Sequence, residues 1–283
     1  MKTLSIITIN KNNGAGLEKT IQSVICQTSN DFEYIVIDGA SDDESVEIIA
    51  KYADRINYWV SERDTGVYNA MNKGIRKAQG KYCLFLNSGD WLISPETLKD
   101  VFEEIRDNSS DIFYSDVIMT DGRIRQFQSK ITINYLLYTH LNHQNTIIKC
   151  SLFSKHFYNE NLNISSDWEF FLHEYWNNKS MFHKLKTNIA IYDTTGISSR
   201  DLKMRHAEDL IVYHNVFNDL ADIIIEHRSF CKTIYYGIIT DIGNTKLLSY
   251  LLRIYRKSYI IARRIGSIFY YQGKKGKKCL KFQ

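Results

Sequence analysis

The sequence predicts an α/β fold in which a mainly parallel sheet carries helices on both faces, followed by a basic helical extension at the C-terminal end. Three observations carry this expectation. Short apolar runs alternate with segments whose apolar residues recur at helical spacing over residues 4–105. A hydrophobic content of 44%, with 19 tyrosines and 14 phenylalanines, supplies a core that a disordered chain would lack. Residues 242–283 hold eleven Lys or Arg and no acid, against 25 basic and 32 acidic residues before them, so the body gives way to a cationic tail.

The elements follow in order. Leu4–Ile9 is an apolar run that predicts the first strand, and the polar segment Asn10–Gly14 leads into a helix with Leu17, Ile21, Val24 and Ile25 on one face. Phe32–Ile37 is a second strand ending on Asp38, and Ser41-x-x-Glu44 has the spacing of a capping box ahead of a helix with Val46, Ile49, Ala50 and Ala53. Ile56–Val60 predicts strand three, Val67–Ala78 a helix, and Lys81–Leu86 a buried fourth strand closed by Asn87-Ser88-Gly89-Asp90. Ser94 is placed to cap, and Pro95 to start, a helix whose core face is Leu98, Val101, Phe102 and Ile105.

After Asp111–Thr120 and a turn at Asp121-Gly122 the alternation becomes irregular, and aromatic-rich segments run to about residue 200. From Lys203 the chain reads helical. The expected organisation is a domain over 1–225, with halves 1–110 and 111–225, and an extension over 226–283.

Five cysteines, with no C-x-x-C pair, fit neither a disulfide framework nor a zinc knuckle and read as reduced thiols. The first residues enter a strand without the pattern of a signal peptide, so the expected location is the cytoplasm. The tail interleaves Leu247, Leu251, Tyr255 and Ile260 with Arg253, Arg256, Lys257 and Arg263. It contains no uncharged span of ~20 residues, so residues 246–283 are expected to lie on an anionic membrane surface rather than cross it. No nucleic-acid-binding motif accompanies the basic residues, so nucleic acid is not an expected partner.

Polar residues gather where the predicted strands end: Asn10 and Lys11, then Asp38, then Glu62 and Asp64, then Asn87 and Asp90. Asp and Asn favour turns and caps, which would account for any one of them. Their joint placement on the carboxyl edge of a parallel sheet, where such folds bind ligands, points to one site.

Ser5-Ile6-Ile7-Thr8, with Leu17-x-x-Thr20-Ile21-x-Ser23-Val24-x-x-Gln27, begins a series of motifs. Tyr34-Ile35-Val36-Ile37-Asp38-Gly39-x-Ser41-x-Asp43, Asp64-x-Gly66-x-x-x-Ala70-x-Asn72-x-Gly74 and Ala78-x-Gly80-x-Tyr82-x-x-Phe85-Leu86-Asn87-Ser88-Gly89-Asp90 complete it. In these, over residues 3–200, the chain resembles the family-2 glycosyltransferases of the Rossmann-like GT-A fold. The resemblance implies inverting transfer of a sugar from a UDP-sugar to an acceptor hydroxyl, in the setting of lipid-linked or surface-polysaccharide glycans. It makes residues 1–110 the nucleotide half and 111–225 the acceptor half. It places Thr8, Asn10, Asp38, Asp64, Asn72 and Asn87 at the nucleotide-sugar, with Asp38 on uracil or ribose and the backbone from Thr8 to Asn10 lining the base. Asp167 becomes the general base and His143, Gln144 and Trp168 the acceptor side, with Arg200 and His206 on a mobile acceptor-side segment. Where the family usually sets two or three carboxylates, only Asp90 remains to hold Mg²⁺ or Mn²⁺.

Two readings compete. Ser166-x-x-Glu169 is also a capping box, in which Asp167 would only complement a helix dipole. Gly14-x-Gly16 with Asp38 imitates a dinucleotide fingerprint, but Lys19 stands where its third glycine belongs, which disfavours an NAD-dependent oxidoreductase. A catalytically degenerate sugar-nucleotide-binding protein is the remaining alternative.

Overall fold

A computed structural model describes residues 2–194 and 201–229. The chain divides into two compact units, Met1–Asp219 and Leu220–Gln283, and in the second the described residues 221–229 are helical. Arg200 and the tail over 246–283 lie outside the described residues.

The first unit is the expected GT-A α/β architecture. β1 (Leu4–Asn10), β2 (Phe32–Asp38), β3 (Tyr58–Ser61) and β4 (Tyr82–Phe85) alternate with α1 (Gly14–Ile25), α2 (Ser45–Lys51) and α3 (Val67–Lys77). β5 (Trp91–Leu92), α4 (Thr97–Ile105), β6 (Ile112–Tyr114), β7 (Val117–Met119), β8 (Ile124–Arg125) and α5 (Ile133–Tyr138) follow. β9 (Thr146–Lys149), α6 (Ser166–His173), β10 (Phe182–Lys184), β11 (Ala190–Tyr192) and a helix over Leu202–Phe217 complete it.

Seven strands pair in the order β10-β6-β9-β4-β1-β2-β3, all parallel except β9, which runs against both neighbours. That reversal matters for function. It brings the start of β9, rather than its end, to the rim where β1, β2 and β4 finish. A second sheet, β5-β11-β7-β8, was not foreshadowed by the irregular patterning of residues 111–200.

Alternation along β1 sends Leu4 and Ile6 into a core with Leu17, Ile21, Val24 and Ile49. Ile7 faces α3, where a Cβ on Gly74 would run into its side chain. Both sheet faces are thus covered.

Two expected capping boxes do not form. Ser41 Oγ donates to Asp38, so Asp43 receives the N–H groups of both Ser45 and Gly14 at the two helix starts instead. Ser166 Oγ accepts from the Asn159 N–H, and the N–H groups of Ile164 and Ser165 go to the buried carboxylate of Glu208. α4 begins at Thr97, two residues beyond Pro95; Ser94 Oγ accepts the Glu96 N–H just ahead of it, and the N–H of Leu98 is received by Gln27 from α1.

Candidate active site

The motif residues of α1 hold the loop that ends β4. Thr20 Oγ1 donates to the Asp90 carbonyl at 2.7 Å and accepts the Gly89 N–H at 3.0 Å, while Ser23 Oγ accepts the Leu92 N–H. Gly89 takes φ +104°, a conformation that suits glycine, and a Cβ there would fall 2.8 Å from Asp193 Oδ2. The turn is fixed in shape before any ligand arrives.

Asp90 is 2% exposed, and its Oδ1 accepts the backbone N–H of Asp193 at 2.8 Å. Burial pushes its carboxyl up to about 7, against the opposing pull of that N–H, of His143 and of a hydrogen bond from Gln144, while the Asp193 charge adds to the rise. Gln144, expected on the acceptor side, gives a hydrogen bond to Asp90. Asp193, at the end of β11, is a second acid that the sequence reading missed. Asp90 and Asp193 together form a donor set of hard oxygens suited to Mg²⁺ or Mn²⁺, which needs few protein carboxylates.

On the other side of the β4 end, the amide nitrogen of Asn87 lies 3.0 Å from Nε2 of His143. With that amide donating, Nδ1 carries the His143 proton and gives it to Asp167 Oδ2 at 2.8 Å. Asp167 Oδ1 also accepts the Trp168 N–H at 2.8 Å and lies 3.1 Å from the Tyr68 hydroxyl. Burial raises the Asp167 carboxyl, but the hydrogen-bonded His143 imidazole, helped by His140 and the Trp168 N–H, overcomes it and holds the group below the usual carboxylate range. The structure thus joins Asn87, His143 and Asp167 into one chain of contacts starting at the rim.

The nucleotide-side residues divide. Asp38 is fully buried, and its carboxylate accepts from Asn10 Nδ2, Ser41 Oγ, the Ser41 N–H and Ser61 Oγ at 2.6–2.9 Å. Burial opposes ionisation, yet these donors win and the carboxyl sits below its ordinary range. Asn10 also donates to Ser45, leaving its own buried Oδ1 without a partner. Asp64 packs over Gly39, just beyond the end of β2, where a Cβ would meet its carboxylate.

The side chains of three expected site residues have partners within the protein, which leaves Thr8 only its backbone to line the base, as expected of it. The Thr8 side chain is buried, with its hydroxyl 3.0 Å from that of Tyr34. Asn72 donates to the Tyr158 carbonyl and to Glu160 and accepts the Tyr158 N–H, so it tethers α3 to the 158–160 segment. Trp168 has no exposed surface to offer an acceptor. It stacks on His140 with ring centres 4.2 Å apart and donates to the Leu136 carbonyl. His206 is exposed on its helix. Gly14 faces Glu44, where a Cβ would lie 2.7 Å from the carboxylate, a poor neighbour for a dinucleotide pyrophosphate.

Comparison with known proteins agrees with this fold. A "PGL/p-HBAD biosynthesis glycosyltransferase" of Mycobacterium bovis is 32% identical over 198 residues, covering 68% of this chain and 77% of that protein. The poly(ribitol-phosphate) beta-N-acetylglucosaminyltransferase TarP of Staphylococcus aureus is 34% identical over 117 residues, 40% of this chain and 36% of its own. Among solved structures, S. aureus TarS 1-349 in complex with UDP-GlcNAc superposes with a TM-score of 0.63 at 21% identity, covering 79% of this chain and 70% of that one. The mannosyltransferase PcManGT of Pyrobaculum calidifontis, in complex with GDP-Man and Mn²⁺, does so at 0.61 and 12%, covering 91% and 80%. Residues 5–164, the stretch that carries β1 to β4 and their polar rim, match the description "Glycosyl transferase family 2", and the chain belongs to that family of glycosyltransferases.

Proposed function

We propose that this glycosyltransferase moves a sugar from a UDP-sugar to a hydroxyl of a surface or lipid-linked glycan, with inversion at the anomeric carbon. The observation that carries the reading is the contact chain from Asn87 through His143 to Asp167, beside Asp90 at the same strand end. The acceptor oxygen attacks the anomeric carbon as the bond to the diphosphate oxygen breaks, and the acceptor proton goes to Asp167. His143 and the Trp168 N–H hold that carboxylate in place and keep it ionised. A cation held by Asp90 and Asp193 would neutralise charge on the leaving UDP. Asn10, Asp38 and Asp64 shape the base and ribose end; for Asp38 this means ordering the loop through its four donors.

The uridine donor is supported by the UDP-GlcNAc complex of TarS, and the glycan acceptor by the named activity of TarP. We assign residues 1–110 to the nucleotide and 111–225 to the acceptor. No helix among the described residues is long and apolar enough to cross a membrane. Peripheral contact at the inner membrane face rests on the cationic residues 246–283, and their deletion should end sedimentation with anionic vesicles. A screen of UDP-Glc, UDP-Gal, UDP-GlcNAc and UDP-GalNAc against GDP- and dTDP-sugars, with and without Mn²⁺, tests the donor. Turnover of at least one uridine donor is expected, and turnover confined to the others overturns the reading. A product with the donor's anomeric configuration overturns inversion.

A further inference from the structure

Away from the rim, the far end of α6 gathers His156, His173 and Glu174, with one potential ligand atom from each within 4.8 Å of the others. His156 follows the helical turn Cys150–Ser154, His173 closes α6, and Glu174 opens a π-type turn over Glu174–Asn178. Such turns recur at functional positions in helices.

Two features here are unexplained by packing. Glu174 is fully buried, and its one ion-pair contact among the described residues is Nε2 of His156, 3.6 Å from Oε1. The buried Nε2 itself has no hydrogen-bond partner. A buried carboxylate with so long an ion-pair contact and a buried ring nitrogen without a hydrogen-bond partner are each costly. One divalent ion between them resolves both.

The surroundings are arranged for it. Glu174 Oε1 accepts from Asn178 Nδ2 at 2.6 Å and Oε2 accepts from Ser180 Oγ, which orients the carboxylate as outer-shell partners do in metal centres. His156 lies against Phe170 with ring centres 4.8 Å apart, and edge-on to His173 at 4.4 Å. Two imidazole nitrogens and one carboxylate oxygen suit Zn²⁺ and its neighbours, whereas Mg²⁺ and Ca²⁺ prefer oxygen sets. We propose that His156, His173 and Glu174 bind a divalent cation of the Zn²⁺ class, with water in a fourth position, at a site separate from Asp90. The ion would pin the segment carrying His156 to the end of the helix that presents Asp167 at its start.

The test uses the full chain, stripped with a chelator and titrated with Co²⁺ as a visible probe. Absorption bands of a four-coordinate site should appear at one equivalent, be displaced by Zn²⁺, and survive excess Mg²⁺ and the Asp90→Asn substitution. His156→Ala and His173→Ala should each weaken Zn²⁺ binding at least ~100-fold. If a variant does not fold, zinc X-ray absorption on the wild-type chain should still show two imidazole ligands. No metal uptake by the wild type, undiminished uptake in folded His156→Ala, or fewer than two imidazoles around bound zinc would each overturn the site.

Discussion

Nδ1 of His143 lies 2.8 Å from Oδ2 of Asp167, and this contact sets the protonation state of the proposed base. Asp167→Asn keeps the size and the Trp168 contact but removes basicity, so transfer should fall at least ~100-fold with UDP affinity and folding retained. Single-turnover assays beside UDP titration check this. The alternative dipole role predicts nearly normal turnover. Because the Asp167 carboxyl is lowered in the folded chain, base function is present at neutral pH and lost only as pH falls through that lowered value. His143→Ala removes the partner that lowers it, so the acid limb of kcat/KM should move to higher pH.

Asp90 and Asp193 share one corner of the site, and the Asp90 carboxyl, pushed up to about 7, holds a proton that a cation must displace. The Mn²⁺ concentration giving half-maximal transfer should therefore rise below pH 7, approaching about tenfold per pH unit. Asp90→Asn should abolish the cation response, and Asp193→Asn should raise the Mn²⁺ required. A flat metal requirement between pH 5.5 and pH 8 argues against Asp90 as ligand.

Asp38 makes a different prediction from a ligand-contact residue. Asp38→Ala leaves the amide of Asn10 and the hydroxyls of Ser41 and Ser61 without their acceptor, at ~1–3 kcal/mol for each donor that stays buried. Melting temperature and UDP affinity should fall together. Its carboxyl is lowered by folding, so its contribution to stability is present above the ordinary value of about 3.9 and lost as pH falls below it. Acid denaturation of Asp38→Asn should show a shallower dependence on pH in that window.

The nucleotide half was legible because its strands and helices alternate and each parallel strand ends on or runs within two residues into a polar one, so order along the chain becomes order along the rim. β9 was not, since the run Thr146-Ile147-Ile148 is equally apolar in either direction and only its pairing shows that it runs backwards. Asp193 was hidden for a related reason: it meets Asp90 across 103 residues, through a sheet that the irregular patterning conceals. The capping boxes at Ser41 and Ser166 failed because tertiary partners, Asp38 and the Asn159 N–H, took those hydroxyls first. Trp168 illustrates the same limit, as its neighbourhood in sequence is that of the base while its ring belongs to the core.

Asn72 separates a ligand role from a scaffolding one. Its amide donates to the Tyr158 carbonyl at 2.9 Å and to Glu160 at 2.8 Å, and its oxygen receives the Tyr158 N–H at 3.1 Å. At 1% exposure it has little left to give a sugar nucleotide. Asn72→Ala strands a buried backbone N–H and carbonyl, which should cost about 1–3 kcal/mol and lower the melting temperature by several degrees. The dissociation constant for UDP should stay within about threefold, a change of under ~1 kcal/mol. The acceptor KM should move more, because Tyr158 packs edge-on against Phe85 and Phe153 and tilted against Tyr68, whose hydroxyl lies beside Asp167. A tenfold loss of UDP affinity at unchanged melting temperature would instead put Asn72 on the nucleotide, and the tether would be incidental.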